Sequence, residues 1–306
     1  MGRRFVVITG PTASGKTRVS VEVAKTLGTC VISADSMQIY KGMDIGTAKV
    51  TAKEMQGVPH HMIDIVEPNQ VYSAAEYQKT AFALIEGENS QGRTPVIAGG
   101  TGLYIHSLVY DIDFTNTPGN DTVRQKYLQL ADDKSIMHLY NDLRQKDPAY
   151  ASIIEPTDLR RIVRRLEILD NGGAGDYDFR RLNTQDDILL IGLSLPRETL
   201  YSRINARVDE MLTNGLVEEA RRIYNRYGMT NAFKAIGYKE LAGYFEGNLS
   251  LADASELIKR NSRRYAKRQM TWFRRDERII WVNLDESLGI EDKIHDIIMI
   301  IKEKGF

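Results

Sequence analysis

Eight residues constrain this chain more than any other feature: Gly10-Pro11-Thr12-Ala13-Ser14-Gly15-Lys16-Thr17, which fit the pattern G-x-x-x-x-G-K-[ST]. The apolar run Phe5-Val6-Val7-Ile8 precedes them, and an amphipathic stretch from Lys16 to Leu27 follows. Strand, glycine loop and helix in that order make a phosphate-binding loop, in which backbone N–H groups and a helix N-terminus surround an oxyanion. Lys16 adds a full positive charge, and the Thr17 hydroxyl is placed to ligate Mg²⁺. The pattern is shared by nucleotide- and ATP-binding loops, so it specifies a phosphate or diphosphate without specifying its carrier.

The rest of the chain must supply a sheet around that loop. Short apolar runs recur at Cys30-Val31-Ile32-Ser33, Met62-Ile63-Asp64-Ile65-Val66 and Pro95-Val96-Ile97-Ala98, and a capping box, Ser73-Ala74-Ala75-Glu76, opens a helix between the last two. This βαβ rhythm predicts an α/β fold, a P-loop NTPase-like parallel sheet flanked by helices, with ligands at the carboxyl ends of the strands. After Pro118-Gly119 the strand signals stop, and helical segments run from Asp121 to Asp170, broken at Asp147-Pro148 and Glu155-Pro156. We read an inserted all-helical domain over 118–185, its far edge marked by Asn171-Gly172-Gly173-Ala174-Gly175. The core is then 1–117 with 186–306, re-entered by the strand Ile188 to Leu193 and closed by another at Ile279-Ile280-Trp281-Val282. Leu200, Ile204, Val208 and Leu212 set the inner face of a helix between them.

Candidate chemistry gathers at the strand ends. Asp35 follows Val31-Ile32-Ser33-Ala34 and emerges beside the phosphate loop, where it suits a general base; a helix-cap or turn aspartate is the other reading. Ser36 and Gln38 can hydrogen-bond a nucleobase edge. Gly99-Gly100-Thr101-Gly102 is a second glycine turn at the same edge, with Thr101 either a positioning hydroxyl or part of a plain tight turn. Asp64 makes a poor metal-binding strand end, which favours group transfer over nucleotide hydrolysis. His60 and His61 are adjacent, so they fall on opposite sides of a strand and do not share a metal.

Lysine plus arginine equal aspartate plus glutamate at 41 each, so a polyanion must be held by local patches rather than by net charge. Eight basic residues and no acid lie between Lys259 and Arg275; Arg260, Arg264 and Arg268 share a helical face, beside Arg263 and Lys267. That face predicts a phosphate-backbone track. A second cluster, Arg160, Arg161, Arg164 and Arg165, sits among Leu159, Ile162, Val163 and Leu166, which must face inward. A single cysteine, Cys30, and no apolar run near 18 residues point to a cytoplasmic chain without a disulfide framework or membrane span.

The loop Gly10 to Thr17, the run Asp35-Ser36-Met37-Gln38-Ile39-Tyr40-Lys41-Gly42-Met43-Asp44-Ile45-Gly46-Thr47-Ala48-Lys49, Gly99-Gly100-Thr101, and Lys267-Arg268-Gln269-Met270-Thr271-Trp272-Phe273-Arg274 together resemble the bacterial tRNA dimethylallyltransferases, the tRNA isopentenyltransferase family. The resemblance implies transfer of a dimethylallyl group from dimethylallyl diphosphate, with Mg²⁺, to N6 of the adenosine 3′-adjacent to the anticodon of tRNA. It implies Asp35 as base and Thr101 as its assistant, with diphosphate on Gly10 to Thr17 and on Arg207, and the metal on Thr17. It further implies contacts to the tRNA anticodon stem-loop from Asp35, Ser36, Met37, Gln38, Thr101, Val123, Arg160, Arg161, Ile162, Val163, Arg164, Lys267, Arg268, Gln269 and Arg274. The expected enzyme is a cytoplasmic monomer. A small-molecule kinase and a non-catalytic RNA-binding P-loop module are the competing readings of the same residues.

Overall fold

The computed structural model describes residues 2–112, 114, 119–172, 181–284 and 289–306. In chain order the elements are β1 (Arg4–Thr9), α1 (Lys16–Leu27), β2 (Val31–Ser33), α2 (Ala52–Met55), β3 (His60–His61), α3 (Ala74–Ser90), β4 (Val96–Gly99) and α4 (Gly102–Val109). Next come α5 (Asp121–Lys134), α6 (Ile136–Lys146), α7 (Pro148–Ala151) and α8 (Leu159–Asp170). The chain finishes with β5 (Asp187–Ser194), α9 (Arg197–Thr213), α10 (Leu216–Tyr227), α11 (Lys239–Phe245), α12 (Leu251–Phe273), β6 (Ile280–Asn283) and α13 (Ile290–Glu303). Two compact units result: Met1–Tyr110 with Leu182–Phe306, and Asp111–Arg181. Pro118 and Gly173 to Gly175, used above as boundary marks, lie outside the described residues.

The first unit is a six-stranded sheet in the order β3-β2-β4-β1-β5-β6, with every pairing parallel. Period-2 alternation divides the central strand between two cores. Phe5 and Val7 pack with Tyr77, Ala81 and Ile85 of α3 and Leu108 of α4, whereas Val6 and Ile8 pack with Val19 and Val23 of α1 and Ile294 and Ile297 of α13. Both layers are fully buried, so the loops at the strand ends start from a rigid base. A third core joins Ile39, Tyr40 and Met43 to α10, α11 and α12. Among the described residues, no helix is long and apolar enough to cross a membrane.

The expected strand at Met62 to Val66 is not there. Met62 and Asp64 have φ of 64° and 55°, a left-handed conformation that no strand tolerates, and the sheet edge is instead the pair His60–His61. The N–H groups of Asp64, Ile65 and Val66 donate to the carbonyls of Gln38 and Ile39, and the Lys49 ammonium holds Asp64 and Asp44 at 2.5 and 2.6 Å. Val66 then bridges Tyr40 in parallel. The second unit is helical, and Tyr127, Leu139, Leu143, Ile162, Val163 and Leu166 fill its own core.

Candidate functional site

Register brings three strand ends side by side, because β4 lies between β1 and β2: Ala98 is opposite Ile8 on one side and Ser33 on the other. The phosphate loop leaves β1, Asp35 leaves β2 and Thr101 leaves β4, all at the carboxyl edge. The Ala34 N–H donates to the Ala98 carbonyl at 2.8 Å, and the Thr101 N–H donates to the Ala34 carbonyl at 3.1 Å. Gly99 is required at this crossing, since a Cβ there would lie 2.2 Å from the Ala34 oxygen.

Gly10, Ala13 and Gly15 all have positive φ, and Gly15 caps α1, so the loop curls its N–H groups inward. The Lys16 ammonium is turned into the loop, donating to the carbonyls of Gly10 (3.1 Å) and Pro11 (2.8 Å). Burial pushes its pKa down to about 8; the Asp35 carboxylate opposes that fall and the Arg207 guanidinium adds to it. Arg207 reaches in from α9 to donate to the Thr12 hydroxyl at 3.5 Å, and burial lowers its own pKa. Loop, arginine and carboxylate therefore feel one another's charge. Ser14 is fully buried within the loop, and Thr17 stands half-buried in the first turn of α1. Among the described residues there is no cluster of His, Cys, Asp or Glu able to hold a metal unaided. The Thr17 hydroxyl is the loop oxygen available to a divalent cation bound beside a phosphate.

Asp35 is a turn aspartate that also faces a cavity. Its Oδ1 accepts the N–H groups of Met37 (2.9 Å) and Gln38 (3.4 Å) as a turn aspartate does, and the residue also lines a cavity of about 330 Å³ together with Thr12, Ser36, Met37 and Arg207. Thr101 Oγ1 accepts the Ser36 N–H at 2.9 Å and donates to the Ser36 hydroxyl at 3.2 Å, locking the two turns together. Tyr265 of α12 closes this wall, its pKa raised by burial and by the Asp35 carboxylate.

Several residues fall elsewhere than expected. Gln38 spends its amide N–H groups on the carbonyls of Thr47 (3.3 Å) and Ala48 (3.1 Å), so it ties its own loop rather than offering that edge to a base. Gln269 is buried, bonded to Thr12 and Gly100, and is not an RNA-facing side chain. Ile162 and Val163 are sealed in the core of the helical unit, which leaves Arg160 and Arg161 exposed on α8 and Arg164 paired to Glu167 at 3.0 Å. Val123 is half-buried against that same core, its N–H held by Asn120. On α12, Arg260, Arg264, Lys267 and Arg268 are exposed, with Arg274 and Arg275 beyond its end. Lys259 pairs with Asp209 and Glu256, and Arg263 bonds Asn205, so the basic face is narrower than its composition suggests.

Sequence reasoning missed Tyr265 and two cavity-lining lysines, Lys234 and Lys239. The lysines flank a tight turn at Gly237 (φ 101°), and an isolated lysine near a glycine has no motif to flag it. Four basic side chains, Arg207, Lys234, Lys239 and Arg268, thus share a cavity with a single carboxylate, Asp35.

A parallel sheet with a phosphate-loop sequence after β1, and with Thr12, Asp35 and Arg207 lining one cavity at its carboxyl edge, defines a P-loop-like α/β protein. The chain belongs to the IPP transferase family, whose model matches residues 38–276. A protein of Anoxybacillus flavithermus named tRNA dimethylallyltransferase is 44% identical over 309 residues, covering 99% of this chain and 98% of its own. The crystal structure of the full-length tRNA isopentenylpyrophosphate transferase from Bacillus halodurans superimposes with a TM-score of 0.75 at 41% identity, over 99% of this chain and 96% of that one. A eukaryotic dimethylallyltransferase acting on tRNA superimposes with a TM-score of 0.80 at 28% identity, over 93% of this chain and 75% of its own.

Proposed function

We propose that this tRNA dimethylallyltransferase moves the five-carbon group of dimethylallyl diphosphate onto N6 of the adenosine that follows the anticodon, giving N6-dimethylallyladenosine and diphosphate. The observation that carries the reading is the shared cavity: Asp35 lies within electrostatic reach of both Lys16 and Arg207 and lines one space with Thr12 and Arg207. An exocyclic amine is a weak nucleophile because its lone pair is delocalised into the purine. As the new C–N bond forms at C1 of the allyl group and the C–O bond breaks, the amine must shed a proton, and Asp35 accepts it. The leaving diphosphate takes both electrons of the C–O bond, and the loop N–H groups, Lys16 and Arg207 stabilise its charge. The Thr17 hydroxyl would hold Mg²⁺ beside the loop, and the ion would supply further neutralisation of the leaving group's charge.

The adenine has to leave its stack to enter a cavity of about 330 Å³, within the range of small-ligand pockets. Ser36, Met37 and the Tyr265 ring line its way in, and Thr101 fixes the turn that carries Asp35. The exposed basic residues of α12 hold the tRNA backbone, and Arg160 and Arg161 on the helical unit provide a second patch. We place the enzyme in the cytoplasm, where tRNA is processed, and read it as a monomer. Incubating the protein with Mg²⁺, labelled dimethylallyl diphosphate and unmodified tRNA carrying adenosine after the anticodon tests this: label is expected in RNA, and RNA without label rejects the reading.

A further inference from the structure

Gln269 occupies the inner face of α12, directly after two exposed cations, Lys267 and Arg268. Its carboxamide joins segments that are far apart in sequence. Oε1 accepts the N–H of Thr12 in the phosphate loop at 2.8 Å, and Nε2 donates to the carbonyl of Gly100 at 2.9 Å, next to Thr101. Tyr265, one helical turn earlier, lines the cavity beside Asp35. The fit is tight on the far side: a Cβ on Gly100 would lie 2.3 Å from Nε2, so the glycine is there to admit the amide. Gln269 is buried with both polar atoms partnered, and nothing about it suits an RNA-facing role.

The bridge has consequences on each side. On the loop side, a backbone N–H aimed at Gln269 is not aimed at an anion, so this side chain selects which loop donors face the leaving group. It also holds Thr12, whose hydroxyl receives the Arg207 guanidinium. On the other side it fixes the carbonyl next to Thr101, which in turn fixes Ser36 and hence the turn carrying Asp35. We propose that Gln269 is a positioning residue that sets the spacing between the diphosphate cradle and the Thr101–Asp35 wall, through one accepted and one donated hydrogen bond. This rests on the transferase reading above. No other side chain of this length except a protonated glutamic acid can accept at one atom and donate at the next.

That requirement gives the test. Gln269→Glu, Gln269→Leu and the unaltered protein are compared from pH 8 to pH 5.5 for binding of inorganic pyrophosphate with Mg²⁺ by calorimetry, and for kcat and KM with dimethylallyl diphosphate and tRNA. At pH 8 the ionised glutamate faces the Gly100 carbonyl and adds negative charge beside the cradle. Pyrophosphate affinity should fall at least about ten-fold and kcat about 10- to 100-fold, as small misplacements of reacting groups do. As pH falls and the carboxyl takes up a proton, the ratio of the Glu variant to the unaltered protein should rise by about ten-fold or more, because the neutral acid restores both bonds. The Leu variant should be impaired with a flat ratio. A purely structural role would lower the melting temperature while leaving pyrophosphate affinity of the folded protein unchanged, and that result overturns the proposal, as does a Glu ratio that stays flat. An unaltered protein that fails to bind pyrophosphate instead rejects the transferase reading itself.

Discussion

Lys16 offers the sharpest test of the cradle's electrostatics. Burial places its pKa at about 8, so roughly nine-tenths of the side chain is charged at pH 7 and roughly one-tenth at pH 9. If only the ammonium form holds a diphosphate, affinity for pyrophosphate should fall roughly ten-fold over those two units and continue down beyond them. The two neighbours fix the sign of the variants. Asp35 holds the lysine pKa up, so Asp35→Asn should move the falling limb to lower pH; Arg207 holds it down, so Arg207→Met should move the limb to higher pH. Lys16→Arg should abolish the limb, because a guanidinium stays charged throughout. Calorimetric titration from pH 6 to 10 reads all four proteins, and comparing them at each pH cancels the protonation of pyrophosphate itself. Superimposable profiles for the unaltered protein and Lys16→Arg, or an Asp35→Asn limb displaced upward, would refute the geometry. Linkage gives an independent check on the ligand-free protein. The folded lysine binds its proton less tightly than the unfolded one, so stability should rise with pH between about 8 and the ordinary lysine value of 10.5.

Asp35→Ala should cost about 10²- to 10⁴-fold in kcat, the usual worth of a general base, while pyrophosphate still binds; single-turnover transfer to tRNA measures it. Lys267→Gln with Arg268→Gln should weaken tRNA binding and flatten its dependence on log salt by up to about 2, seen by filter binding over a salt series. Glu219 is 3% exposed and accepts the N–H groups of Asp44, Ile45 and Gly46 and the hydroxyl of Tyr238. Glu219→Gln turns an amide NH₂ toward those donors and should cost about 3 kcal/mol, read as a lower urea midpoint at unchanged slope. Tyr238→Phe removes one of the four bonds and should cost about 1–3 kcal/mol in the same assay.

Elements with purely local causes were legible in the sequence. Helix α1 begins at Lys16 and ends at Leu27 as read, because a glycine loop starts it and Gly28 (φ 61°) stops it. The Ser73 capping box forms with both of its bonds. Helix α4 was invisible beyond its opening glycines: Gly102 to Val109 is apolar nearly all round, and a buried helix lacks the periodicity by which an exposed one is recognised. The false strand at Met62 to Val66 has a different origin. Its composition is a strand's, and the partners that hold it outside the sheet are remote in sequence: the Lys49 ammonium, 15 positions from Asp64, and the carbonyls of Gln38 and Ile39.

The same physics explains why the positions of Lys16, Asp35 and Thr101 were legible and the partners of Gln38 and Gln269 were not. A titratable or glycine-rich motif announces chemistry locally, and Lys16, Asp35 and Thr101 do stand at adjacent strand ends. What a polar side chain does is decided by its partner, and here the partners are remote: Gln269 lies 257 positions from Thr12, and Glu219 lies 175 from Asp44. The run from Asp35 to Lys49, which carries most of the family resemblance, is accordingly more scaffold than contact surface. Lys49 pins Asp44 and Asp64, Gln38 pins Thr47 and Ala48, Glu219 gathers the next three N–H groups, and Gly46 is glycine because a Cβ would strike the Tyr238 ring at 2.5 Å. Asp35, Ser36 and Met37, with the backbone turn of 46–48, are what that scaffold delivers to the cavity. On the proposed mechanism, in which Asp35 takes the proton from the amine as diphosphate departs, small displacements of the carboxylate are costly, and a loop pinned at this many points is what that chemistry asks of the fold.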